Sequence, residues 1–115
     1  MKLNTETLDD SCVNKIGSQS EGLGVIGGSL IVGVITSFSA AGGSNIGPVP
    51  PYSASVDTAT SGECNVTTSS CVAGDWFTSD AEGLAIKTET GFALGRILAD
   101  PVDGLALAVI GAVNL

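Results

Sequence analysis

The clearest alternation of apolar and polar positions lies in the last 44 residues. Four short apolar runs, residues 72–78, 84–87, 92–99 and 105–113, are separated by stretches rich in Ser, Thr, Asp and Glu that each end in a glycine: Gly83, Gly91 and Gly104. Glycine reaches positive φ without steric cost, so each separator reads as a tight turn. Runs of this length at this spacing predict an antiparallel meander of a small barrel or sandwich. In the last run Leu105, Leu107, Val109 and Val113 share one parity, and Ala106, Ala108, Ile110 and Ala112 share the other. A strand sends alternate residues to opposite faces. The bulky parity is expected to fill a core and the small one to lie close to another protein layer. Trp76 and Phe77 are expected to form an aromatic plug beside a turn at Gly74-Asp75.

Residues 22–56 carry no charge at all. A membrane-spanning helix is the first reading of such a stretch. The interrupting glycines, the β-branched run Leu30-Ile31-Val32-Gly33-Val34-Ile35 and the lack of flanking Lys or Arg point instead to strands. Strands are predicted over 23–26 and 30–38, joined as a hairpin through Gly27-Gly28. Leu30, Val32 and Val34 are then expected on one face and Ile31 and Ile35 on the other. A strand apolar on both faces is buried on both. The expected cover for the second face is a partner subunit or an assembly surface, which makes Leu30, Ile31, Val32, Val34 and Ile35 candidate intersubunit contacts. A loop is predicted over 40–51, followed by a further strand holding Tyr52, Ala54 and Val56.

Residues 1–21 are polar and show no period. They lack the apolar core of a secretory leader and are read as an extended arm whose anchoring apolar residues are Leu3, Leu8, Val13 and Ile16. The domain division expected is thus an arm over 1–21 and a single β-domain over 22–115. No internal repeat of fixed period is visible.

Composition sharpens the class. Only 14% of the 115 residues are charged, below the usual quarter or so. Such a surface suits coverage by other subunits. The net charge of −8, with four basic residues, gives no footprint for nucleic acid or for an anionic membrane. There is no histidine, so no Ser–His or Cys–His pair exists. Cys12, Cys64 and Cys71 are too few for a four-ligand zinc site and read as small buried or half-buried thiols, with a Cys64–Cys71 hairpin disulfide as the alternative. Asp9-Asp10 and Asp80/Glu82 read as solvated carboxylates rather than acid–base or calcium sites. The stretch Gly22–Gly27 spells a dinucleotide-binding glycine pattern, but polar residues precede it and no helix is predicted after it. Asn65-Val66-Thr67 matches a glycosylation acceptor and, with no leader read, is taken as chance. No cofactor or metal is expected.

One resemblance adds to this. Gly74-Asp75, Thr78-Ser79-Asp80, Gly83-Leu84-Ala85-Ile86-Lys87 and Ala93-Leu94-Gly95-Arg96-Ile97-Leu98, followed by a glycine and a terminal apolar strand, resemble the capsid cement (head-decoration) proteins of tailed phages. The ending is also similar to small β-domains of phage tail fibres. The first resemblance implies a non-enzymatic virion protein, a homo-oligomer of trimeric type, made in the host cytoplasm and clamped on the major capsid protein at the capsid exterior. The alternatives are a tail-fibre or spike domain and, from another class, a small membrane-anchored or secreted protein.

Overall fold

The structure, a computed structural model, describes residues 1–40 and 54–115. Among these residues ten strands form two five-stranded antiparallel sheets. The all-β reading is therefore right. The loop expected over 40–51 and the position of Tyr52 lie outside the described residues, apart from Ala40.

Sheet 1 contains β1 (Lys2–Thr5), β2 (Ile16–Ser20), β3 (Leu23–Ile26), β4 (Leu30–Ser39) and β5 (Ala54–Ala59), with one turn of 3-10 helix over Asp10–Cys12. Sheet 2 contains β6 (Gly62–Thr67), β7 (Trp76–Ser79), β8 (Ala85–Lys87), β9 (Phe92–Ile97) and β10 (Leu105–Asn114). The strand orders are β1-β5-β4-β2-β3 and β6-β10-β9-β7-β8. Moving every strand of the first order on by five reproduces the second. The chain is a tandem duplication of one five-stranded lobe.

The duplication extends to individual hydrogen bonds. In lobe 1 the Asn14 N–H donates to the Ile35 carbonyl (2.7 Å) and the Ile35 N–H to the Lys15 carbonyl (2.8 Å). In lobe 2 the Gly74 N–H donates to the Ile97 carbonyl and the Ile97 N–H to the Asp75 carbonyl, both at 2.8 Å. Each is a β-bulge whose first residue has positive φ, 72° at Asn14 and 93° at Gly74. The expected turn is there as well: the Asp75 N–H donates to the Val72 carbonyl (3.1 Å), so Gly74 sits in a Val72–Asp75 turn and also opens the bulge. A Cβ on Gly33 would run into the Ala59 carbonyl, and one on Gly95 into the Val109 carbonyl. The pairings Ile16↔Val34↔Ala59 and Trp76↔Arg96↔Val109 occupy the same places in their lobes.

Each sheet curls until its outer strands meet. In lobe 1 the buried Thr5 hydroxyl donates to the Gly24 carbonyl of β3 (2.8 Å) and accepts from the N–H groups of Thr7 and Leu8. In lobe 2 the buried Thr68 hydroxyl donates to the Ala85 carbonyl of β8 (2.8 Å) and accepts from the N–H groups of Ser70 and Cys71. Thr68 and Ala85 also form a parallel bridge. One threonine per lobe thus joins first strand to third. Leu3, Cys12, Ile35 and Val56 fill lobe 1, with Leu8, Ile26, Val32 and Phe38 packed on them. Phe77, Val66, Cys71, Ala85, Ile97, Ala106, Ala108 and Ile110 form the second cluster, which also takes in Ile16 and Val34 from lobe 1.

Several sequence expectations change here. Residues 1–21 are not an arm: they supply β1 and β2, because Leu3 and Ile16 are needed inside the molecule. The division of the chain falls between Ala59 and Gly62, not at residue 21. The expected Gly27-Gly28 hairpin is absent, since β2 lies between β3 and β4 and pairs with both. In β10 the faces are reversed: Ala106, Ala108 and Ile110 point inward, while Leu107 and Val109 are exposed. The interior of a five-stranded barrel is narrow, and Phe77 already occupies it, so small residues are what fits opposite. Phe77 is the plug; Trp76, next to it, faces out.

Candidate functional site: an apolar hairpin face and an unused docking segment

The eight residues expected to make contacts outside the chain divide sharply. Leu3, Ile16, Val34 and Ile35 are fully buried within this chain and cannot reach a partner. Leu8 and Val32 are half-buried and pack on the lobe 1 core. Ile31 is half-buried against the second cluster. Leu30 alone stays largely free, 59% exposed. The second face of β4 is covered, as expected of a strand apolar on both sides. Its cover is lobe 2 of the same chain.

Residues of β4 do not follow simple parity either. Two register shifts interrupt it, one opposite Gly17/Ser18 and one between Ile35 and Ser37. Each adds one residue and turns the following side chain over. Val32, Ile35 and Phe38, three apart, all reach the lobe 1 core, while Ile31 and Val34 reach the other cluster.

Two surfaces stand out, neither predicted from sequence. The first is the outer face of the β9–β10 hairpin. Leu98, Val102, Leu107 and Val109 are all exposed, and Leu105 is half-buried. The backbone holds them together: the Leu98 N–H donates to the Leu107 carbonyl (2.8 Å), and Val102 and Leu105 exchange N–H bonds at 2.9 and 3.0 Å. The signal for this face was present in the alternation of β10, read with the opposite sense.

The second surface is the segment Gly74-Asp75-Trp76 with Arg96 beside it. The Arg96 guanidinium lies 5.3 Å from the Trp76 ring centroid, and its Nε donates to the Gly74 carbonyl (3.0 Å). Stacking and one hydrogen bond keep this cation extended over the ring. Lys87 is close by, 3.9 Å from Asp75 and 3.3 Å from Glu89. The equivalent segment of lobe 1, Asn14-Lys15-Ile16, has a defined use. The Thr67 N–H donates to the Asn14 carbonyl (2.7 Å), and the Ile16 N–H donates to the Gly83 carbonyl (2.7 Å). Lobe 1 therefore seats this segment between β6 and the β7–β8 turn of lobe 2, with Ile16 wholly buried.

Between the lobes, Ser29, Leu30, Ile31, Thr78 and Phe92 line an open groove of about 330 Å³. Its lining has no titratable side chain. All three cysteines are free thiols, Cys12 and Cys71 buried and Cys64 half-buried. Burial pushes each thiol above its ordinary value, which lowers its reactivity near neutral pH. Asp9 is held low by the Ser11 hydroxyl and backbone N–H that donate to it. Among the described residues no three His, Cys, Asp or Glu side chains gather as a metal site, and no helix is long and apolar enough to cross a membrane. Compared with known protein families, with curated proteins and with solved structures, the chain matches none.

Proposed function

We propose that this chain is a non-enzymatic structural protein that works by adhesion, as a capsid cement protein does. The observation that carries the reading is the apolar β9–β10 face: Leu98, Val102, Leu107 and Val109 lie exposed together on one hairpin. The core does not need them, since Ala106, Ala108 and Ile110 fill the inner face of the same strand. An exposed apolar face on a protein with so few charges is suited to protein–protein burial. The partner class is taken from the resemblance: a major capsid protein, with further copies of this chain beside it on the capsid exterior. Burying the hairpin face across neighbouring capsid subunits would raise the barrier to their separation.

The test is co-sedimentation of the purified protein with expanded capsids, alongside thermal melting of the capsids. Leu107→Asp and Val109→Asp place a charge on the outer face without touching the lobe interior. Both variants are expected to keep the wild-type circular dichroism spectrum and to lose capsid binding by at least about tenfold, because an interface cannot bury an unpaired carboxylate cheaply. Unchanged binding by both would remove the hairpin face from the function.

A further inference from the structure

The two lobes share one topology but not one fate. Lobe 1 uses Asn14-Lys15-Ile16 to dock on lobe 2, through Thr67 of β6 and Gly83 of the β7–β8 turn. The positions equivalent to that docking site in lobe 1 are Asn4 of β1 and Gly22 of the β2–β3 turn. Asn4 precedes the latch threonine Thr5 as Thr67 precedes Thr68, and Glu21-Gly22-Leu23 repeats as Glu82-Gly83-Leu84. Asn4, Glu21 and Gly22 are exposed, and a Cβ on Gly22 would meet nothing within 4 Å. The lobe 2 equivalent of the docking segment, Gly74-Asp75-Trp76, makes no hydrogen bond to the other lobe: the Gly74 carbonyl accepts from the Arg96 side chain of its own lobe, and Asp75 and Trp76 are half-buried within it. Each chain therefore carries one used pair of matching surfaces and one unused pair, the two halves of the unused pair on different lobes.

We infer that copies of this chain join head to tail, lobe 2 of one seating Gly74–Trp76 on Asn4 and Gly22 of lobe 1 of the next. The contact would repeat the one that already joins the lobes within a chain. Charge favours it. Arg96 stands beside Trp76 where Val34 stands beside Ile16, and Glu21 flanks Gly22. Arg96 has no carboxylate partner among the ion pairs of the described residues, which are Lys87 with Asp75 and Lys87 with Glu89. The docking cation and the receiving carboxylate would pair between copies. A head-to-tail contact is heterologous, so it closes into a ring or grows as a filament. A ring of three chains would present six similar lobes. This inference rests on the structural reading above and names its partner as a second copy of the same chain.

The experiment is sedimentation velocity on the full chain over a wide concentration range, with E21R, R96E, the double variant, and an equimolar mixture of the two single variants. Wild type is expected to associate as concentration rises. Each single variant should associate at least about tenfold more weakly, since each sets like charges against each other. The double variant should recover association. The mixture is the decisive arm. In the mixture the docking end of E21R meets the receiving end of R96E with the native charges, and the reverse contact meets them exchanged, so the two proteins should co-assemble alternately with association restored. A wild type that stays monomeric throughout would overturn the inference, as would a mixture that behaves like its two components alone. Association lost by Leu107→Asp but not by either charge variant would overturn it too, by moving the contact to the hairpin face. Capsid co-sedimentation by a monomeric wild type would leave the adhesive function standing while this inference fails. Self-association without capsid binding would do the reverse.

Discussion

Thr5 and Thr68 show how much a single side chain can hold. Each hydroxyl is buried, donates to a carbonyl of the third strand of its lobe, and accepts from two N–H groups of the loop that follows it. Valine has nearly the same shape and none of these bonds. Thr5→Val and Thr68→Val should each leave a buried carbonyl and two N–H groups short of partners, at about 1–3 kcal/mol per variant. Urea denaturation would show it as a lower midpoint at unchanged slope. A loss below about 0.5 kcal/mol in both would mean that water replaces the hydroxyl and that the latch is not structural. Neither threonine was conspicuous in the sequence, where Thr5 lies in a polar stretch and Thr68 in a Ser/Thr-rich one.

At the scale of elements, strands dense in apolar residues were legible whatever their length, and polar ones were not. Strands were expected over 23–26, 30–38 and around Val56, and in four runs after residue 72; β3, β4, β5 and β7 to β10 are there, because each packs several apolar residues in a few positions. The turn glycines Gly83, Gly91 and Gly104 all take positive φ, as read. β1, β2 and β6 were missed, since strands of four to six residues with one or two inward apolar side chains leave almost no pattern. Parity failed in β4 because bulges carry no clear sequence mark, and in β10 because size, not hydrophobicity, decides which face fits a narrow barrel. Gly33 and Gly95 mark the closest strand approaches, each against the carbonyl of the fifth strand of its lobe. Gly33→Ala and Gly95→Ala should each force those strands apart and cost about 1–3 kcal/mol or more. Thermal melts of both variants check this. Gly111→Ala, at a glycine of ordinary φ with open space where the Cβ would sit, is the clash-free control.

At the scale of the whole molecule, Ile16 belongs to lobe 1 by sequence and to the second cluster by packing. Truncating it should therefore weaken both lobes. Ile16→Ala is expected to lose about 2–5 kcal/mol, and native-state hydrogen exchange should quicken at Val66 and Ala85 of lobe 2 as well as in β2. Faster exchange in lobe 1 alone would show that the lobes are independent. The duplication itself was invisible to the sequence reading. The two halves share little beyond Glu-Gly-Leu at 21–23 and 82–84 and Ser-Cys-Val at 11–13 and 70–72. The loop after the latch is longer in lobe 1, where Thr5 and Asn14 stand nine apart against six for Thr68 and Gly74, so no fixed period survives. What the lobes keep in common is backbone: bulges, close approaches and one hydroxyl.

The strand order carries a consequence for synthesis on the ribosome. In each lobe the last strand made is not at an edge. It slides in between the first and the fourth: β5 between β1 and β4, β10 between β6 and β9. Until it emerges, the nascent lobe holds two unpaired strand edges facing a gap one strand wide. Lobe 1 can heal that gap while lobe 2 is still being translated, and lobe 2 closes its own once β10 has emerged. A ribosome stalled before Leu105 would thus display a vacancy that fits β10 of any finished neighbour. Nascent chains halted there are the stage at which strand exchange between copies competes with correct folding.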